Sequence, residues 1–286
     1  MKNGGIRKLL LLGAAGLLLA AGSAMAQSAT TFPGDSPDNF RLRLGMIFAD
    51  LQSDVKLSSP SLPGEGIDLT GIGLVGDKKN AFRGDGYWNF LGRSYLDFGF
   101  LDYSTDGSKT ITKDIDFGGV VYKAGATVSG ETSARYIYAA YRYGFVKTNA
   151  VHFGLSLGVS FATERAKLSA TANVTKPDGT VVSGGASRER ELNVPVPLLG
   201  MNLEVALGQS VTIGGNIRAV GANIDPWSGS WVEGVAGINW FITRNFGIGG
   251  AYEYQKIILE KKNSNGNDVR FDQRYEGPRA FLVMTF

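Results

Sequence analysis

The stretch Val151–Ala162, VHFGLSLGVSFA, constrains the fold of this chain more than any other segment. Large apolar residues occupy every second position, and histidine, glycine, serine and alanine occupy the positions between them. Successive side chains of a β-strand point to opposite faces, so the pattern predicts a strand with one bulky apolar face and one small face. A soluble sandwich would carry charged residues on its second face. The contrast favours a transmembrane barrel whose apolar face contacts lipid and whose small face lines the lumen.

The first 26 residues predict a secretory signal peptide. Basic residues at positions 2, 7 and 8 precede the apolar run Leu9–Ala21, and Ala24-Met25-Ala26 has the small-x-small form of a cleavage site. The apolar run is about 13 residues long, whereas a spanning helix needs roughly 20. We therefore predict a signal peptide over 1–26, a periplasmic lead-in over 27–39 and a barrel over 40–286.

The charge balance of the chain depends on this signal peptide. The full sequence has 29 Lys and Arg against 26 Asp and Glu, and three of the bases lie in the first 26 residues. The remaining chain is balanced, so nothing supports nucleic-acid binding. The sequence has no cysteine, which excludes disulfides and thiolate chemistry.

Alternation along the rest of the chain predicts an all-β fold, an antiparallel up-and-down barrel of about ten strands, with eight or twelve as alternatives. Long polar loops, including Asp225–Gly229, alternate with short turns, as in bacterial outer-membrane barrels. The apolar positions of Glu189–Ala206 change parity near Pro195 and Pro197, which predicts a β-bulge. Aromatic residues beside the short turns predict an interfacial belt, made of Phe40, Phe90, Phe145, Phe153, Trp240, Phe246 and Phe286.

The C-terminal residues of the chain resemble a known sequence signal. Phe286, with apolar residues at alternate positions before it, resembles the C-terminal signal of outer-membrane barrel proteins, although Phe281 replaces the usual glycine. Short motifs such as Val196–Gly200 and Tyr275–Pro278 are similar to a family of uncharacterised proteobacterial outer-membrane barrels of the small OmpA/OmpW-like type. The resemblance implies a Gram-negative outer membrane, contact with its lipids and recognition by the barrel-assembly machinery. It implies no activity.

The inward positions of the predicted strands carry both arginines and carboxylates, which we expect to neutralise one another because buried charges are normally paired. This lumen charge network comprises Arg41, Arg43, Arg83, Asp85, Asp97, Arg142, Glu204, Arg218, Glu233, Glu253 and Arg279, and Glu164 is a further inward acid. The network predicts a largely plugged lumen. The function expected from it is a structural or binding role of a barrel with long extracellular loops, whose ligand the sequence does not identify.

Catalysis is not predicted. A hydrolytic site needs a base beside a nucleophile, and the single histidine, His152, lies at the periplasmic end, roughly 13 Å along its strand from Ser156. Omptin-like proteases resemble this chain in strand number, but they use a histidine at the outer rim, where none is predicted here. One histidine, no cysteine and no EF-hand loop also predict no metal site, and no motif predicts a cofactor.

A narrow pore or transporter for small solutes is the alternative function. Glycines at inward positions would open space in the lumen: Gly45, Gly99, Gly144, Gly154, Gly158, Gly247 and Gly249. Barrels of eight strands are filled by side chains and barrels of 16 strands hold an aqueous channel, so ten strands predict a mostly occluded lumen.

Overall fold

The structure is a computed structural model that describes residues 40–286, except 58–65, 71–72, 76–77, 118–119, 171–173, 176–180, 183–185, 226 and 263–267. The predicted signal peptide and lead-in therefore lie outside the described residues. Within the described part, no helix is long and apolar enough to cross a membrane.

Ten long antiparallel strands form a closed barrel, as predicted. Each strand pairs with its neighbours in sequence, and the last strand pairs with the first, which closes the sheet. The strands are β1 (Phe40–Leu57), β2 (Lys78–Leu91), β3 (Ser94–Thr110), β4 (Thr127–Lys147), β5 (Val151–Ala170), β6 (Ala186–Ala206), β7 (Val211–Ile224), β8 (Trp227–Phe241), β9 (Phe246–Lys261) and β10 (Val269–Thr285).

The two ends of the barrel differ in their connections. At one end, here called the turn end, the strands are joined through residues 92–93, 148–150, 207–210 and 242–245. Phe40 and Phe286 meet there through backbone hydrogen bonds of 3.0 and 2.9 Å. Most connections at the opposite loop end are long. The predicted loop Asp225–Gly229 is wrong, because β8 begins at Trp227, which pairs with Lys261, and only two residues separate β7 from β8.

Short strands at the loop end cap the barrel. The strand Gly66–Asp68 pairs antiparallel with β1. Two loops together build a small four-stranded sheet, from the segments Ile115–Phe117, Val120–Tyr122, Val174–Thr175 and Val181–Val182. The side chains of Phe117, Tyr122 and Leu74 are fully buried. The loops therefore fold back onto the barrel and contribute to its core.

The two prolines of β6 make no bulge. The ladder between β5 and β6 runs through Pro195 and Pro197 without a register shift, so the predicted bulge is wrong. Pairing between β6 and β7 begins at Leu199, just past the prolines. Proline has no N–H to donate, and a strand tolerates it where one of its edges is unpaired.

The change of apolar parity along β6 reflects two different halves of the barrel. Towards the loop end the inward residues of β6 are apolar and buried: Leu192, Val194, Val196 and Leu198. Towards the turn end the inward positions are Gly200, Asn202 and Glu204, while Leu199 and Met201 point outward and are exposed. The backbone alternates regularly throughout, and only the chemistry of its two faces is exchanged.

The outer surface of the barrel follows the same division. On β5, Leu157 and Phe161 point outward and are 61% and 60% exposed, whereas the next outward residues, Thr163, Arg165 and Lys167, are polar. The exposed aromatics beside the turns include Phe145, Trp240 and Phe246. The turn-end half therefore has an apolar outside and a polar inside, and the loop-end half has the reverse.

Candidate functional site

A hub of buried ion pairs crosses the lumen at the centre of the barrel. The Nη1 atom of Arg83 on β2 donates to Glu253 Oε2 at 3.0 Å and to the Tyr275 hydroxyl at 3.2 Å. Its Nη2 atom donates to Glu233 Oε1 at 3.2 Å. The three charged residues are 0–3% exposed. Because the partners of Arg83 lie on β8, β9 and β10, the hub joins separate parts of the barrel wall.

Further arginines extend the hub towards the turn end. Arg279 Nη1 lies 2.5 Å from Asp85 Oδ1 and 3.0 Å from Glu253 Oε1. Asp85 is also 2.5 Å from Arg43 and 3.8 Å from Arg83. Arg218 donates to Glu233 at 2.6 Å. Each hub carboxylate is therefore shared by at least two arginines.

Two separate ion pairs complete the set. Arg142 donates to Asp97 at 3.0 Å, and its guanidinium lies 4.2 Å from the ring centre of Tyr95 and 4.9 Å from that of Tyr87. Arg41 pairs with Glu204. All eleven residues predicted for the lumen charge network are thus engaged in ion pairs with one another, through the hub or through these pairs.

Glu164 departs from the expectation that every inward acid neutralises an arginine. It lies on β5 beyond the charged half, is fully buried, and accepts a hydrogen bond from the Tyr136 hydroxyl. Its Oε2 atom has no hydrogen-bond partner among the described residues. Glu164 meets no arginine among the residues that the structure describes because of its position on the strand. Its inward neighbours, Ala162 and Ala166, belong to the apolar half.

Uncharged residues that were not predicted as site members complete the network. Tyr275 donates to Gln255 at 3.0 Å and accepts from Arg83, Asn216 donates to Glu233 at 3.0 Å, and Arg218 donates to Tyr138 at 3.1 Å. Their inward parity is readable from the sequence. The pairings across the lumen, Arg83 with Tyr275 and Arg218 with Tyr138, are not, because those residues are 192 and 80 positions apart in the chain.

The predicted inward glycines do not all open space. A methyl group at Gly99 would lie 2.6 Å from the Tyr138 ring, and one at Gly249 would lie 2.3 Å from the Phe281 ring. Large rings therefore cover these glycines. A cavity of about 60 Å³ does lie in the turn-end half, but the glycines on its wall include Gly214 and Gly237, which were not among those predicted.

His152 is the single histidine of the chain. His152 lies at the turn end as predicted, next to Lys147 on β4 and Glu204 on β6 in the sheet register. No group of three or more histidine, cysteine or acidic side chains among the described residues is placed to hold a metal ion.

The chain has the fold of single-chain outer-membrane β-barrels. The outer membrane protease OmpT from Escherichia coli matches with a TM-score of 0.55 at 12% identity, over 88% of this chain and 98% of that one. The Pseudomonas putida toluene transporter TodX matches at 0.36 and 8%, over 88% and 91% of the two chains.

The attachment invasion locus protein Ail of Yersinia pestis matches with a TM-score of 0.32 at 11% identity, over 85% of this chain and 97% of that one. The chain matches no protein-family model and no curated protein sequence. Identities this low establish the shared fold alone.

Proposed function

We propose that this protein is an outer-membrane barrel that does not conduct solutes and acts without catalysis, through binding by the part that stands outside the membrane. The observation that carries the proposal is that the lumen is filled at two levels. The buried hub around Arg83 spans the barrel from β2 to β8 and β9. Beyond it, an apolar core contains loop residues, among them Leu69 and Phe117, which are fully buried.

The length of the strands supports an extramembrane part. A strand needs roughly 9–11 residues to cross a bilayer, and β5 has 20 and β6 has 21. The segment Thr163–Ala170, beyond the apolar outer surface, extends about 26 Å along the strand. In outer-membrane barrels short turns face the periplasm, so the turn end is periplasmic and the loop end extracellular.

The surface of this extracellular half is polar and of mixed charge. Arg135 pairs with Asp102 at 2.6 Å and Arg165 pairs with Glu189 at 2.6 Å, both on the outside of the wall. In the loop between β3 and β4, Lys123 donates to Asp114 at 2.9 Å, and this hydrogen bond lowers the pKa of Asp114. A charged rim of this kind suits binding to polar surfaces.

The apolar outside of the turn-end half supports contact with outer-membrane lipids. At its lower edge Phe286 closes the seam between β10 and β1, and its ring lies 6.3 Å from that of Phe246. We further propose that the barrel-assembly machinery recognises this terminal strand.

Conductance in planar bilayers tests whether the lumen is closed. We expect no steady current from the purified barrel in 1 M KCl, under conditions where a 16-stranded porin conducts. An ohmic current that scales with the amount of inserted protein would contradict the proposal and favour the narrow pore.

Labelling of single cysteines tests the orientation, because the chain has no cysteine of its own. Ser129 at the loop end and Asn149 at the turn end are both exposed. We expect Ser129→Cys to react with a membrane-impermeant maleimide on intact cells and Asn149→Cys to react only after lysis. The reverse pattern would refute the assigned topology.

A further inference from the structure

The cavity in the turn-end half of the lumen has walls of two kinds. Arginines and acids form one part of its lining, and small residues on β7, β8 and β9, among them Gly214, Gly237 and Ala251, form another. The volume of about 60 Å³ is enough for several waters or for a small ion. The small side chains leave part of the lumen beside the charged residues unfilled.

The charges around the cavity are not balanced. Its lining includes five arginines and three carboxylates, which are Arg41, Arg43, Arg142, Arg218, Arg279, Asp85, Asp97 and Glu204. Adding the central residues Arg83, Glu233 and Glu253 leaves six arginines against five carboxylates in the described lumen network. Uncompensated charge is costly inside a barrel, so an anion in the cavity would stabilise it.

Arg43 is the arginine best placed to meet such an anion. Its counter-ion, Asp85, is shared with Arg279 and Arg83, at 2.5 and 3.8 Å. The side chain of Arg43 is 28% exposed, against 2–11% for the other lining arginines. Asn202 lines the same cavity, and its buried Nδ2 donor has no hydrogen-bond partner among the described residues.

We propose that this cavity binds a small oxyanion of the phosphate or sulfate type, with Arg43 and Asn202 as its contacts. A guanidinium offers paired N–H donors that match the oxygens of such an anion. The buried side chains of Arg83, Glu233 and Glu253 close the lumen on the loop side, so the anion enters from the turn end. It is a free ion, because the barrel wall encloses the cavity and separates it from lipid headgroups.

Calorimetric titration of the detergent-purified barrel with inorganic phosphate tests this proposal, against sodium chloride at the same ionic strength. We expect saturable binding of phosphate and of sulfate, and none of chloride. Arg43→Gln should weaken phosphate binding at least tenfold. Asn202→Asp keeps every arginine but places a negative charge in the cavity, and should weaken it to a similar extent.

Arg135→Gln is the matched control, since it removes an arginine from the outside of the extracellular half and should leave the affinity unchanged. Far-UV circular dichroism establishes that each variant retains its β-structure. Absence of saturable binding to the wild type overturns the proposal. So does binding that Arg43→Gln and Asn202→Asp leave intact, or that chloride reproduces. Phosphate bound only when phospholipid is added back would assign the site to a lipid headgroup and equally overturn it.

Discussion

Replacing Arg83 by methionine tests how the lumen is held together. The change removes one buried cation that contacts Glu253 at 3.0 Å, Glu233 at 3.2 Å and the Tyr275 hydroxyl at 3.2 Å. Removing one partner of a buried ion pair typically costs about 3–5 kcal/mol. Each carboxylate keeps a second arginine, so we expect the lower end, about 3 kcal/mol. That corresponds to a more than hundredfold rise in the unfolding equilibrium constant, at about 1.4 kcal/mol per factor of ten.

The assay is reversible urea unfolding of the refolded barrel in detergent micelles, followed by tryptophan fluorescence. Arg135→Met is the control, because the side chain of Arg135 is 65% exposed in its pair with Asp102, and exposed pairs contribute little to stability. The double variant Arg83→Met/Glu253→Gln should recover at least half of the loss, since it removes a carboxylate together with its cation. Equal stability of the Arg83 and Arg135 variants would refute the reasoning, as would a double variant that shows the sum of the two single losses.

Three further predictions address other levels of the barrel. Glu164→Gln should leave the free energy of unfolding unchanged or raise it, because the amide can still accept from Tyr136 and no longer places an uncompensated acid in the core; a clear loss of stability in urea titration would contradict this. Leu168→Ala should lower the free energy of unfolding by about 2–5 kcal/mol, as for other fully buried leucines, measured in the same titration. Leu157→Arg should lower the free energy of unfolding measured from lipid bilayers by about 2–4 kcal/mol, the range for a cation at the midplane of a barrel's lipid face. Lys167→Leu, which removes a cation from the outer face of the loop-end half, should change the free energy of unfolding much less.

The alternation of side chains made the fold predictable. A strand exposes alternate residues on opposite faces whatever its partners are, so Val151–Ala162 and the segments like it predict about ten strands and their inward positions. The same parity places Arg83, Glu233 and Glu253 in the lumen. The network was predicted from this parity and from the need to pair buried charges.

Three of the predictions that failed show how the answer depended on neighbouring strands. Pro195 and Pro197 do not bulge β6, because β7 does not pair with that part of its edge. Gly99 does not open space, because Tyr138 on the next strand covers it. Glu164 meets no arginine, because it lies at the level of the apolar core.

The sequence by itself therefore determined the strands, their two faces and the presence of opposite charges inside. Only the tertiary structure decided which arginine meets which acid, where a cavity remains, and how far the barrel extends beyond its apolar surface. The physical reason is that facing direction is a local property of the backbone, whereas Arg83 and Glu253 are 170 residues apart in the chain, and closing the sheet is what brings them together.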